Sequence, residues 1–98
     1  MYVILTSKPG QFRTELAPGM AQVEAYDYLF YGRKRAGFVV ASIEHEVKVR
    51  VIDESADEPV VNLVPSKFLE KFDTLAAARA QLESLSHFGS MDIQLVKQ

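Results

Sequence analysis

No cysteine occurs among the 98 residues of this chain. Disulfide staples, thiolate nucleophiles and thiolate-bound zinc or iron–sulfur centres are thereby excluded. A domain of this size without staples stands on its apolar core alone, which suits a reducing compartment. An excess of positive charge is missing as well: 11 basic against 13 acidic residues leave a net charge of -2. The chain has no global attraction to polyphosphates or anionic lipid, and a nucleic-acid role must rest on a local patch. No apolar run approaches the ~20 residues that span a bilayer. The opening Met1-Tyr2-Val3-Ile4-Leu5-Thr6 has neither the basic segment nor the small-residue cleavage site of a secretory leader. A cytoplasmic location is expected.

The catalytic signatures are equally sparse. No G-x-S-x-G, Walker A or dinucleotide glycine pattern is found, and no serine has a partner to activate it. His45 and His87 are the only imidazoles. They stand far apart without a metal-binding spacing, so His45 reads as a turn residue and His87 as a favourable partner of a helix C-terminus. Asp53, Glu54, Asp57 and Glu58 miss the glycine and the ligand spacing of a calcium loop and read as a solvated acidic connection. The expectation is a protein without enzymatic activity, metal or cofactor.

What is present is an ordinary globular composition, 48% hydrophobic and 24% charged. It predicts one domain spanning residues 1–98. Tyr2 to Thr6 is apolar on both alternating faces, as in a strand covered on both sides or lying centrally in a sheet. Pro9-Gly10 and Pro18-Gly19 each suit a type II turn. Between them Phe12, Thr14 and Leu16 alternate with polar neighbours in a short edge strand. Val23 to Tyr31 predicts a long strand with Glu24, Tyr26, Tyr28 and Phe30 on one face. Glu46 to Ile52 alternates most cleanly, Val47, Val49 and Val51 inward against Glu46, Lys48 and Arg50.

A further strand is expected over 60–64, ended by Pro65. Ser66 is then placed to cap a short helical turn carrying Phe68, Leu69 and Phe72. Asp73 is placed as the N-cap of a helix running through His87, with Leu75, Ala78, Leu82 and Leu85 on one apolar stripe and Gly89 as its stop. Met91, Ile93 and Leu95 alternate in a last strand expected to pair with the sheet interior. The sum is an α+β domain: a curled, mostly antiparallel sheet of six or seven strands with one principal C-terminal helix on one face.

Large rings and clustered positive charge coincide only in the hairpin over 23–43. Its basic tip is Arg33, Lys34 and Arg35, with Lys8 and Arg13 as further candidate cations. The segment Arg35-Ala36-Gly37-Phe38-Val39-Val40 resembles the RNA-recognition-motif strand that begins Lys/Arg-Gly-aromatic, without its second and third aromatics and in a different topology. One helix cannot cover both faces of the aromatic strand, so some of Tyr26, Tyr28, Phe30 and Tyr31 are expected to stay exposed. Tyrosines beside arginine make protein–protein hot spots. Tyr26, Tyr28, Phe30, Tyr31, Arg33, Lys34 and Arg35 are therefore the candidate partner-binding residues, the partner being another protein or a second copy of the chain. The alternative is nucleic acid, with the basic tip on phosphates and the rings on bases. A small-molecule pocket between sheet and helix is the third reading.

Overall fold

The computed structural model describes residues 1–55, 57–85 and 92–98. In chain order the elements are β1 (Tyr2–Ser7), β2 (Phe12–Glu15), β3 (Met20–Phe30), β4 (Arg33–Ile43), β5 (Lys48–Asp53), β6 (Val60–Pro65), a 3-10 turn (Ser66–Phe68), α1 (Leu75–Leu85) and β7 (Ile93–Lys97). The α+β class holds. The single curled sheet does not: the strands divide into a sheet ordered β1-β4-β3-β7 and a sheet ordered β2-β5-β6, both antiparallel.

Side chains cause the division. Past the type II turn, where Gly10 adopts φ 77° and Gln11 N–H bonds the Lys8 carbonyl at 3.0 Å, β1 and β2 form one bridge at Lys8 and Phe12. The ladder stops there. Thr14 N–H donates to Ser7 Oγ at 2.9 Å and Thr14 Oγ1 to the Thr6 carbonyl, so hydroxyls take the places of backbone partners. Freed from β1, β2 pairs along its length with β5.

Three layers result, with the four-stranded sheet in the middle. On one side Ala36, Phe38 and Val40 of β4 meet Ala78 and Leu82 of α1. On the other, Val3, Leu5, Ala41 and Ile43 meet Val49 of the second sheet. The doubly apolar character of β1 is thus accounted for by cover on both faces, although the strand lies at a sheet edge. Its outer edge is closed by Phe72, whose N–H and carbonyl each bond Tyr2 at 2.8 Å. The last strand also lies at an edge rather than in the interior, because β3 is its only neighbour.

Two register shifts interrupt the central hairpin, one at Val23 in β3 and one at Arg35 in β4. Each is a β-bulge, which sets two residues against one and reverses the facing of the residues beyond it. Met20 consequently packs on the inter-sheet core while Tyr26 packs beneath the helix.

In α1 the stripe of Leu75, Ala78, Leu82 and Leu85 faces the sheet as expected. The cap is Thr74 instead of Asp73: its hydroxyl accepts the Ala77 N–H at 3.1 Å. His87, Gly89 and Met91, expected to end the helix and start the last strand, lie outside the described residues. Ser66 does not cap the short turn either. It is fully buried, its hydroxyl donating to Glu46 at 2.7 Å and accepting the Val47 N–H at 2.9 Å. A polar side chain this deep is tolerated because its hydroxyl both donates and accepts a hydrogen bond.

Leu82 is 2% exposed in the helix–sheet core whereas Phe68 is 72% exposed. Leu82→Ala is expected to cost about 2–5 kcal/mol in urea unfolding. Phe68→Ala is expected to stay within about 0.5 kcal/mol of the wild type. Equal losses would show that the layers are assigned incorrectly.

Candidate partner-binding hairpin

β3 and β4 are joined by two residues, Tyr31 and Gly32, with φ of 51° and 77°. Positive φ at both central positions defines a type I′ turn, whose twist matches that of the strands it joins. Tyr31 is the only described non-glycine residue in the left-handed region. That conformation costs a tyrosine on the order of 1 kcal/mol. It persists because the turn is held from both sides: Phe30 pairs with Arg33, and Tyr31 N–H donates to the Asp92 carbonyl at 2.8 Å. The Tyr31 ring stands edge-on to Phe30 with centroids 4.7 Å apart, and the residue is 59% exposed.

The four candidate rings do not form one surface. Tyr26 and Tyr28 are half-buried against the helix side of the sheet, Tyr28 meeting Phe38 edge-to-face at 5.9 Å. Phe30 is half-buried beneath Tyr31, and Tyr31 alone is exposed. Burial raises the Tyr26 hydroxyl above its ordinary value, and the Glu24 carboxylate beside it pushes in the same direction.

The cations also separate. Arg33, Lys34 and Arg35 are all exposed. Lys34 leans onto Asp27 of the facing strand, Nζ to Oδ1 at 3.0 Å, while among the described residues no ion pair engages Arg33 or Arg35. The bulge turns Arg35 to the side of Ala36 and Phe38. There it borders an open groove of about 490 Å³ whose floor is Tyr28, Ala36 and Phe38 and whose other cationic edge is Lys8. An apolar floor between two cations suits a ligand with apolar and anionic parts. Arg13 does not join this group. It lies on the outer face of the second sheet with Glu15 at 3.8 Å and Glu54 at 3.4 Å.

The strongest electrostatic feature is a residue that looked like an ordinary strand charge. Glu24, next to the Val23 bulge, has a side chain only 4% exposed, with Lys97 Nζ at 2.7 Å. Arg79 of α1 binds it through two parallel bonds, Nε to Oε1 and Nη2 to Oε2, each 2.8 Å. Those bonds from Arg79, followed by that from Lys97, hold the Glu24 carboxyl at about 2. With both oxygens engaged it is a fixed anion, poorly placed to exchange protons with a substrate. No single-position signal marks it, since its partners lie 55 and 73 residues further along the chain.

His45 is exposed beside Gly19, where an added Cβ would come within 2.8 Å of the imidazole. Gly19, with φ 91°, is needed for its turn, while the exposed imidazole could move aside for a side chain. Asp53 accepts Ser55 Oγ at 2.6 Å and Ser55 N–H at 2.8 Å, and these bonds lower its pKa. Among the described residues no three His, Asp or Glu side chains gather as a metal site. In comparisons with known proteins, no family model, curated protein or solved structure matches the chain.

Glu24 titrates near 2 in the fold against an ordinary 4.5, so its stabilisation is complete above about pH 4.5 and is lost as the pH falls towards 2. Glu24→Gln is expected to lower Tm at pH 7 by on the order of 5 °C. The gap from the wild type should close on acidification to pH 2. A gap that does not change with pH would show that the ion pairs are not its source.

Proposed function

We propose that this chain is a non-catalytic interaction domain whose hairpin tip, Phe30 to Arg35, engages a protein partner with an acidic surface. One observation carries the reading. A tyrosine is held exposed in a costly backbone conformation, on a tight turn that leads into Arg33 and Arg35, which have no ion pair among the described residues. Strained, solvent-facing positions persist where the surrounding structure over-determines them, and they concentrate at functional sites. An exposed aromatic followed closely by arginines is the composition of an interface anchor. The groove bordered by Lys8 and Arg35 extends this surface and could receive an apolar side chain followed by a carboxylate. A cytoplasmic setting fits a core built without cysteine.

The same tip disfavours two neighbouring ideas. Self-association tip to tip would bring like charges together, at a cost in the desolvated interface. Single-stranded nucleic acid is gripped by successive stacked bases, and of the four rings only Tyr31 is exposed, the other three being half-buried.

Tyr31→Asn tests the reading directly, because Asn-Gly is the preferred type I′ pair and relieves the turn. Its Tm is expected to equal or exceed that of the wild type. Capture of a nuclease-resistant protein partner from the native host should fall at least about tenfold, as should capture by an Arg33→Glu, Arg35→Glu double variant, in line with loss of a hot-spot residue. Partner capture that is unchanged in both variants would overturn the assignment of the tip. So would tight binding of an oligo-dT probe that weakens about tenfold or more between 50 and 200 mM salt, since that slope reports phosphate contacts.

A further inference from the structure

Exposed apolar residues are concentrated away from the hairpin. Of the large hydrophobic side chains that are exposed among the described residues, Val60, Val61, Leu63 and Phe68 fall within a single short segment. That segment is β6 and the turn that comes after it. β6 is an edge strand whose one neighbour is β5. The other terminal strands of the β1–β2 side are covered, β1 by Phe72 and by the hydroxyl bonds from Thr14, β2 by the same bonds. Among the described residues β6 has no such cover.

The direction of its free backbone groups is set by the ladder. Ser66 N–H donates to the Val47 carbonyl at 2.8 Å, in register with Val64 opposite Val49 and Asn62 opposite Val51. Bonded and non-bonded pairs alternate along an antiparallel ladder. Val60, Asn62 and Val64 therefore turn their N–H and C=O towards β5, and Val61 and Leu63 turn theirs outward to solvent. Pro65, the next outward position, has no N–H, and Pro59 precedes the strand. The bondable edge is short and bracketed by prolines, which limits what can add to it.

Charge identifies the occupant. The acids Asp57 and Glu58 stand before β6, while Lys67 comes after it and Lys48 and Arg50 flank its second half opposite Pro65 and Leu63. Acids thus stand at the start of the edge and cations at its end, where Arg50 is also paired with Glu15 at 3.5 Å and Glu46 with Lys71 at 3.0 Å. A second copy laid antiparallel matches each end with its opposite; laid parallel, it does not.

We infer that β6 is a twofold interface between two copies of this chain, paired antiparallel about Asn62. In that register Val61 lies opposite Leu63 of the partner subunit and Leu63 opposite Val61 of the partner subunit. Every outward N–H and C=O of these two residues is satisfied. Asp57 and Glu58, which lead into the strand, come to the end where the partner strand leads into Lys67 of the partner subunit, and the exposed Phe68 lies beside the same junction. The two three-stranded sheets become one continuous sheet. Its new outer edges are the covered β2 strands, so this sheet does not extend beyond the dimer. The inference is independent of the hairpin reading, since no residue of the tip takes part.

Sedimentation velocity of the full chain over a concentration series tests this. An edge of two reciprocal pairs buries little area, so a reversible dimer with Kd on the order of 10–1000 μM is expected. Asp57→Lys and Lys67→Asp each set like charges against each other in the homodimer and should sediment as monomers with unchanged thermal unfolding. Mixed in equal amounts they should form a dimer again, because each junction in the mixed pair regains opposite signs. Leu63→Lys should be monomeric alone and in every mixture, since a lysine on an exposed edge blocks strand addition. A wild type that stays monomeric to about 1 mM, which would leave the edge to a foreign strand, overturns the inference. So does a dimer that survives both charge reversals, or a mixture that fails to associate. Loss of the dimer in Tyr31→Asn, with the edge variants still dimeric, would transfer self-association to the tip and likewise overturn it.

Discussion

A single buried carboxylate joins the parts of the chain that cannot hold themselves. Glu24 sits in the middle of β3, Arg79 on α1 and Lys97 at the end of β7, and the three meet within hydrogen-bonding distance. An isolated helix of 11 residues is marginal in water, and a five-residue edge strand is no better off. Both depend on the sheet between them. The apolar stripe supplies attraction without direction; the forked Arg79 contact specifies where along the sheet the helix stops. Removing one member of such a buried cluster leaves the others desolvated and unpaired, which is why its loss costs more than the cluster's net contribution.

The layering that this clamp secures also determines what surface remains. With the helix on one face of the four-stranded sheet and a second sheet on part of the other, most of the aromatic strand is used internally. Tyr26 and Tyr28 serve as helix-side packing. The ring left to solvent is the one at the turn, where no layer reaches. The second sheet, being only three strands wide, hides its inner face and leaves the edge at β6 bare. One arrangement therefore produces two separate surfaces: a basic, rigid tip and an uncharged edge with opposite charges at its ends.

Features fixed by near neighbours were legible in the sequence. The alternation of Val47, Val49 and Val51, the stripe of Leu75, Ala78, Leu82 and Leu85, and both Pro-Gly turns depend on spacing within one element. Contacts between distant segments were not. Thr14 reads as an inward strand residue, and that its hydroxyl would displace a ladder bond and part the strands into two sheets depends on where Thr6 and Ser7 lie. Asp73 and Thr74 are both good caps, and only the helix entry angle selects between them. Glu24 offered no sign of burial, since a glutamate in a strand is ordinarily solvated and its two cations are remote. For the candidate site, the basic tip was readable as composition. The exposure of Tyr31 and the cover over Tyr26 and Tyr28 required the packing.

The extra residue at Val23 has a consequence for how this chain can vary in length. Met20 and Tyr26 are both even-numbered positions of one strand, yet they serve opposite cores. β3 is in effect two half-strands of opposite phase, spliced at the bulge. Deleting that one residue would bring the halves into step and rotate Met20 away from the inter-sheet core, or else Tyr26 away from the helix. A substitution at this surface position changes little; a one-residue deletion there would invert half a strand.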